Sequence, residues 1–417
     1  MSLLLILIGI LILFGYFEHR FHLRNLNSFQ VRIHVNGTRG KSSVTRLIAG
    51  ALRAGGIKVF AKTTGTKPRM IFEDGSEVPI FRPGKANIIE QRGVLARGVE
   101  EQAKALVIEC MAVKPEYQRF VEQKMIKSTI GVITNAREDH IEEMGPTIED
   151  IAISLCGTIP KNSILFTAEK RMLPILQEKA MLVGTKVITA DESEVTDEMM
   201  EGFTYIEHKE NVALAIKVAE HLGIKPDVAV KGMWAAEPDP GVLRKYHIKF
   251  FNREIEFVNA FAANDPESTL LIWDKMTANL PMEHPALAAT EDVRIVILVC
   301  RSDRVDRSIQ MGELIAKKLT ADYYILAGAY TDVVEKEIVG LGLLANKVVN
   351  LGEATPDRIF EKVLELIGAK PRFHRDKLQS RYCGTTKKCL VFGIGNIVGY
   401  GESIVTYFKN RGEEYRA

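Results

Sequence analysis

The stretch Val35-Asn-Gly-Thr-Arg-Gly-Lys-Ser-Ser43 decides the reading of this chain. A β-branched run, Val31 to Asn36, precedes it and an amphipathic pattern, Ser43 to Ala54, follows; this is the strand, loop and helix context that a phosphate loop requires. Gly37 and Gly40 let the backbone approach an anion closely, and the N–H groups of the loop and the helix start turn toward it. On this reading Gly37, Thr38, Arg39, Gly40, Lys41, Ser42 and Ser43 cradle the phosphates of ATP. Lys41 reaches the β and γ oxygens, and the Ser42 hydroxyl ligates Mg²⁺. The longer G-x-x-x-x-G-K-[ST] spacing would put its first glycine at position 35, where Val35 stands, so the match is to a shorter G-T-x-G-K-S-S form.

The same alternation continues on both sides of a break. Strands are expected at Lys58 to Lys62, Ala105 to Ile108, Ile130 to Thr134 and Ile164 to Thr167, with helices at Pro115 to Lys124 and Ile148 to Leu155. The helical pattern Asn211 to Ala236 ends at Glu237-Pro-Asp-Pro-Gly241, two prolines and a glycine, which marks a domain boundary. A second series follows through Glu256 to Ala260, Arg294 to Cys300, Tyr323 to Ala327, Lys347 to Leu351 and Lys388 to Phe392. The expected fold is α/β: a P-loop ATPase domain with a mainly parallel sheet over residues 30–240, then a smaller Rossmann-like α/β domain over 246–417.

A length of 417 residues gives a prior of two to three domains. Lys+Arg 55 against Asp+Glu 53 leaves +2, which points to a globular chain with no nucleic-acid partner. The five cysteines, Cys110, Cys156, Cys300, Cys383 and Cys389, are odd in number and contain no C-x-x-C, against both a disulfide framework and a zinc site. Residues 1–20 form a separate element. The run Leu3 to Phe17 is uninterrupted and apolar, a little short of a full span, and Arg20, Arg24 and Arg32 follow it. No positive charge precedes it and no small-x-small site follows, so a retained anchor is expected rather than a signal peptide. The positive residues on its C-terminal side place the rest of the chain in the cytoplasm.

Two further constellations fall at strand ends, where open α/β sheets place their ligands. Glu109 ends Ala-Leu-Val-Ile-Glu, and Asp139-His140 closes Asn135-Ala-Arg-Glu-Asp-His140. Glu109 and His140 beside a phosphate loop can complete the Mg²⁺ coordination begun by Ser42, with Thr64 as a further candidate; taken singly, Glu109 or His140 reads first as an ordinary structural residue. The basic segment Arg372 to Arg381 reads as a solvated face, and Gly393 to Gly399 as a tight turn.

In their order, GTRGKSS, the glutamate of VIEC and TN-x-x-x-DH resemble the phosphate loop, metal glutamate and metal histidine of the Mur ligase superfamily of ATP-dependent carboxylate–amine ligases. Asn211 in HKENVALA looks like that family's nucleotide-contacting asparagine. Pro240-Gly-Val-Leu-Arg244 looks like its interdomain segment, and Val258 to Thr269 resembles the start of its C-terminal domain. Within the superfamily the chain is most similar to the ligase subunits of poly-γ-glutamate synthases, in the anchor, NGTRGKSSVTRL, KTTGT (62–66), ECMAV (109–113), FAANDPEST (261–269) and CRSDRVDR (300–307).

This resemblance implies a membrane-bound enzyme that extends poly-γ-glutamate from glutamate with small membrane subunits of the same synthase, a homo-oligomer being compatible with it. It implies Lys41, Glu109 and His140 as catalytic residues, and Asn211 and Asp265 as nucleotide contacts, with Asn264 a weaker candidate. The guanidinium groups of Arg301, read as catalytic, and Arg244, read as a nucleotide contact, suit phosphate and substrate carboxylates, with surface salt bridging as an equal alternative; Arg304 and Arg307 are weaker candidates of the same kind. One departure is Leu155, where many Mur ligases carry a carbamylated lysine. Another is the absence of a UDP-binding domain before the loop. The alternatives are a folylpolyglutamate-synthase-like ligase and an ATP-switch module of an envelope transporter.

Overall fold

The computed structural model describes the chain apart from residues 1, 66–67, 83, 85, 206, 239–242, 251–252, 262, 264, 278–292, 369–386, 398 and 416–417. Thr66, Pro240, Gly241, Asn264 and the basic segment 372–381 therefore lie outside the described residues. Two compact units emerge: Met1–Phe203 with Glu207–Pro240, and Thr204–Ile206 with Gly241–Ala417.

The first unit is built on eight strands: β1 Val31–Asn36, β2 Val59–Thr63, β3 Arg69–Ile71, β4 Glu77–Pro79, β5 Ala105–Glu109, β6 Ile130–Ile133, β7 Ile164–Thr167 and β8 Lys186–Thr189, in the order β4-β3-β2-β5-β1-β6-β7-β8. Across the order from β2 to β8 every pairing is parallel; the β2–β3 and β3–β4 pairings are antiparallel. The strand β5, ALVIE, is a near-continuous apolar run and β2 is buried along its whole length, because helices cover both faces of a parallel sheet. On one face of the sheet Leu26, Phe29, Phe60, Leu95, Leu106, Ile108, Val121 and Ile126 cluster toward β2, and Ile133, Ile151, Leu155, Leu165 and Leu176 cluster on the same face toward β8. Leu155 is fully buried there, an apolar core position that could not host a carbamate without losing that packing.

The helix α1, Ser2–Ser28, extends beyond the expected 1–20. Its apolar start is exposed, with Leu3 to Phe17 uncovered by protein, while His22, Asn25 and Leu26 are buried against the first unit. The Arg32 guanidinium donates to the Leu26 and Phe29 carbonyls, both at 3.1 Å, satisfying C=O groups at the end of the helix.

The second unit carries seven strands: β9 Arg244–Phe250, β10 Arg253–Asn259, β11 Val293–Cys300, β12 Tyr323–Gly328, β13 Val348–Gly352, β14 Lys387–Gly395 and β15 Glu413–Tyr415, in the order β13-β12-β11-β14-β10-β9-β15. Five are parallel, and β9 and β15 close one side antiparallel. Gly393 and Gly395 belong to β14, not to a turn: a Cβ at Gly393 would lie 2.6 Å from the Phe261 ring, so glycine here serves close packing.

A buried polar pair lies inside the first unit. His34 Nδ1 sits 2.8 Å from Glu122 Oε2, and the Ser128 hydroxyl and backbone N–H donate to the same carboxylate. Burial alone would lower the His34 pKa; Cys110 and Glu122 outweigh it and raise it to about 9. Glu122 is the partner with hydrogen-bond geometry, since His34 Nε2 has none. The folded value is raised above the ordinary 6.5, so the proton's contribution to stability is fully present below about pH 6.5 and is lost as pH rises through about 9. The expected loss is about 3 kcal/mol. Hydrogen exchange of the β1 and β6 amides, followed from pH 6 to 10, is expected to accelerate beyond the intrinsic pH effect in the wild type, and His34→Asn to remove that excess.

Candidate active site

The strand β1 stops at Asn36, whose amide donates to Gln118 Oε1 at 2.8 Å and Thr158 Oγ1 at 3.1 Å. This buried network, extended by Gln118 to Val113 O and Ser154 Oγ, fixes the floor from which the loop departs. The helix α2, Lys41–Ala54, then begins two residues earlier than its apolar pattern suggests, because Gly40 takes the left-handed conformation at its N-cap, φ 77°. Gly37 also has positive φ, 134°. A Cβ at Gly37 would fall 2.0 Å from Thr134 Oγ1, and one at Gly40 would fall 2.7 Å from Asn211 Oδ1. The glycines thus admit Thr134 and Asn211 at close range.

Those neighbours come from the segment after β6. Thr38 N–H donates to Asn135 O at 3.0 Å and Thr38 Oγ1 to Asn135 Oδ1 at 2.8 Å, while Arg39 N–H donates to the same Asn135 side chain at 3.1 Å. Thr134 Oγ1 donates to Arg39 O at 2.6 Å. Thr134 and Asn135 therefore brace the loop. Their signal was the polar pair directly after an apolar strand, read in the sequence only as a prelude to Asp139-His140.

Ser42 and Glu109 meet although 67 positions apart: Ser42 Oγ donates to Glu109 Oε2 at 2.8 Å, and Thr64 N–H donates to the same oxygen at 2.6 Å. Parallel register explains it, since Val35 pairs with Glu109 and the loop leaves β1 beside the end of β5. Thr64 thus enters through its backbone. Lys41 Nζ folds back onto the Gly37 and Thr38 carbonyls, at 2.6 and 3.0 Å. Burial pulls its pKa below the ordinary value, and the Glu109 and Asp139 carboxylates oppose that shift. Ser43 lies half-buried in the same first turn.

Asp139 lies 3.6 Å from the Arg39 guanidinium. His140 takes a left-handed conformation, φ 49°, with Asp139 at 4.0 Å from Nε2 and Glu143 at 3.6 Å from Nδ1. Asn211, 7% exposed, stands over Gly40 and donates to Glu207 Oε1 at 2.8 Å. Among the described residues no three His, Cys, Asp or Glu side chains gather as an all-protein metal cage. One carboxylate with a serine hydroxyl suits a hard cation that keeps water and phosphate oxygens as its other ligands.

The sequence reading missed a cluster behind Glu109. Lys62, fully buried at the end of β2, places Nζ 2.9 Å from Glu90 Oε1, 3.2 Å from Gln91 Oε1 and 3.5 Å from Met111 Sδ. Arg82 holds Glu90 through two bonds, of 2.6 and 3.0 Å, and Gln91 Nε2 donates to the Glu109 carbonyl at 3.3 Å. The blocks KTTGT and ECMAV, distant in sequence, supply Lys62, Thr64, Glu109 and Met111 to one place.

The second unit carries the remaining candidates. Arg301 binds Asp303 bidentately, at 2.9 and 2.8 Å. Asp265 accepts from Ser268 N–H at 2.8 Å at the start of the helix Pro266–Thr277. Arg244 opens β9 opposite Asn259. Arg304 and Arg307 flank the start of the helix Val305–Lys317.

Two families match this chain: the Mur ligase middle domain over residues 35–233, and the poly-gamma-glutamate synthase CapB C-terminal domain over 245–411. The chain is 38% identical over 408 residues to PGA synthase CapB of Bacillus subtilis, covering 97% of each. It is 38% identical to the capsule biosynthesis protein CapB of Bacillus anthracis, covering 95% of this chain and 80% of that one. In fold it is similar to Escherichia coli FolC in complex with ADP, TM-score 0.65 at 13% identity over 94% and 93% of the two chains. A Mycobacterium tuberculosis folylpolyglutamate synthase complexed with ADP gives 0.64 at 15% identity over 95% and 94%. With both halves matched in order and near-full-length identity to two of its members, the chain belongs to the CapB family of poly-γ-glutamate synthases, built on the Mur ligase fold.

Proposed function

We propose that this chain is an ATP-dependent, ADP-forming carboxylate–amine ligase that joins glutamate units into poly-γ-glutamate. The observation that carries the reading is the convergence of the Ser42 hydroxyl and the Thr64 N–H on the Glu109 carboxylate, directly under a glycine-cradled phosphate loop. A glutamate side-chain carboxylate attacks the γ-phosphorus of ATP, ADP leaves, and a γ-glutamyl phosphate forms. The amine of a second glutamate attacks the acyl carbon and expels phosphate. Little covalent work falls to the protein, so positioning and charge neutralisation carry the rate.

Lys41 and the loop N–H groups of Gly37 to Ser43 bind the phosphates, and Asn211 flanks them. Ser42 and Glu109, with His140 as a further ligand, hold a divalent cation, here Mg²⁺. When bound, that cation neutralises charge developing on the transferred phosphoryl group. Arg301, Arg244 and Asp265 are assigned to substrate carboxylate and nucleotide from the second domain, with 30–240 and 246–417 as the two catalytic domains. Residues 1–20 anchor the enzyme once in the cell membrane, with both domains in the cytoplasm beside small membrane subunits of the synthase. The exposed apolar helix start supports the anchor.

Hydroxylamine tests the intermediate. In the presence of ATP, glutamate and the full chain it is expected to yield γ-glutamyl hydroxamate; ADP production with no hydroxamate and no amide would favour an ATP switch.

A further inference from the structure

The direction of α1 is fixed by two contacts. Glu18 forms an ion pair with Arg92, in the first turn of the helix Glu90–Glu100, while Phe29, just past the end of α1, packs on Gly98 near that helix's end. The two helices therefore run side by side in the same direction. The start of Glu90–Glu100 belongs to the strand-end edge of the sheet, because Glu90 binds Lys62 at the end of β2 and Gln91 binds the carbonyl of Glu109 at the end of β5. Phe29 lies at the opposite edge, where β1 begins and Gln30 N–H donates to Lys104 O. From Glu18 backward, the apolar residues 3–17 continue past the strand-end edge by about 22 Å at 1.5 Å per residue. Two large apolar side chains next to this exit are also uncovered: Phe81, 88% exposed, and Ile89, 63% exposed, each one residue from the Arg82–Glu90 pair. Arg20 follows Glu18 on the exposed part of α1.

We propose that the first unit meets the bilayer with its strand-end edge, Phe81 and Ile89 resting in the interfacial layer of an anionic membrane beside the anchor. This rests on the reading of residues 1–20 as an anchor. Aromatic and aliphatic side chains beside cationic ones suit that layer, where apolar groups enter and guanidinium groups meet lipid phosphate. The phosphate loop and Glu109 then open toward the membrane, so that glutamate units are joined close to the surface, while the strand-start edge with Lys161 and Lys186 points to the cytosol.

The test uses the full chain reconstituted in vesicles of phosphatidylglycerol and phosphatidylcholine with brominated acyl chains, which quench nearby indoles. Phe81→Trp and Ile89→Trp are compared with Lys186→Trp and with the wild type, whose own tryptophans set the baseline. The added indole at 81 or 89 is expected to be quenched roughly twofold or more, with blue-shifted emission, and that at 186 to match its emission in unbrominated vesicles. Quenching at 186 and none at 81 or 89, in a chain that floats with the vesicles, overturns the orientation alone. A wild-type chain that fails to float overturns the anchor and, with it, this proposal.

Discussion

Lys41→Met is expected to lower glutamate-dependent ADP release by about a hundredfold to a thousandfold, the range for removing one preorganised charge from a reacting centre. Methionine retains much of the side chain's length and removes the donor. In the structure Nζ is held by the Gly37 and Thr38 carbonyls, so the ammonium is already stationed on the loop proposed to receive the phosphates. The neighbouring Glu109 and Asp139 favour its charged form against the cost of burial. The fall is expected in turnover with the fold retained, which a thermal melt of the variant checks. A variant that melts like the wild type and ligates at the wild-type rate would remove Lys41 from the phosphate site.

Glu109→Gln should act differently. The amide keeps the shape and one acceptor for Ser42 or Thr64, but the negative charge that would hold a cation is gone. The Mg²⁺ concentration for half-maximal activity is expected to rise by about a hundredfold or more. Titrating Mg²⁺ against activity separates this from a general loss. An activity loss with unchanged Mg²⁺ dependence would place Glu109 outside the cation site and leave it as the bridge between β5, Ser42 and Thr64.

The phosphate loop was legible because its chemistry is local: strand, glycines, lysine and helix follow one another within a few residues. Parallel alternation carried the rest of the α/β reading, since buried strands such as Ala-Leu-Val-Ile-Glu announce themselves by composition. The edges were harder. The strands β3 and β4 are three residues each and contain Arg69, Glu77 and Pro79, with no apolar run to detect. Similarly, the charges after Phe17 mark an end to the apolar run of α1, although Leu26 and Phe29 beyond them supply core contacts.

Lys62 shows why part of the site stayed hidden. A lysine at a strand end reads as solvated, and only Glu90, Gln91 and Met111, brought in from two other segments, make it a buried group behind Glu109. Such partners are set by tertiary approach, for which a single sequence carries no spacing rule. Thr64 meets Glu109 through its backbone N–H, a group that every non-proline residue carries and that leaves no residue-type signal. In the second unit, Arg301 was weighed against salt bridging, and the bond to Asp303 two residues on is present in the structure.

The most direct measurement of the central claim is ADP release by membranes carrying the full chain, with and without glutamate, with the product analysed by mass and linkage. Glutamate-dependent ADP in proportion to amide bonds formed, with a ladder of γ-linked glutamyl oligomers, is the expected result. ATP hydrolysis indifferent to glutamate, with no γ-linked product even when the other synthase subunits are present, would contradict it.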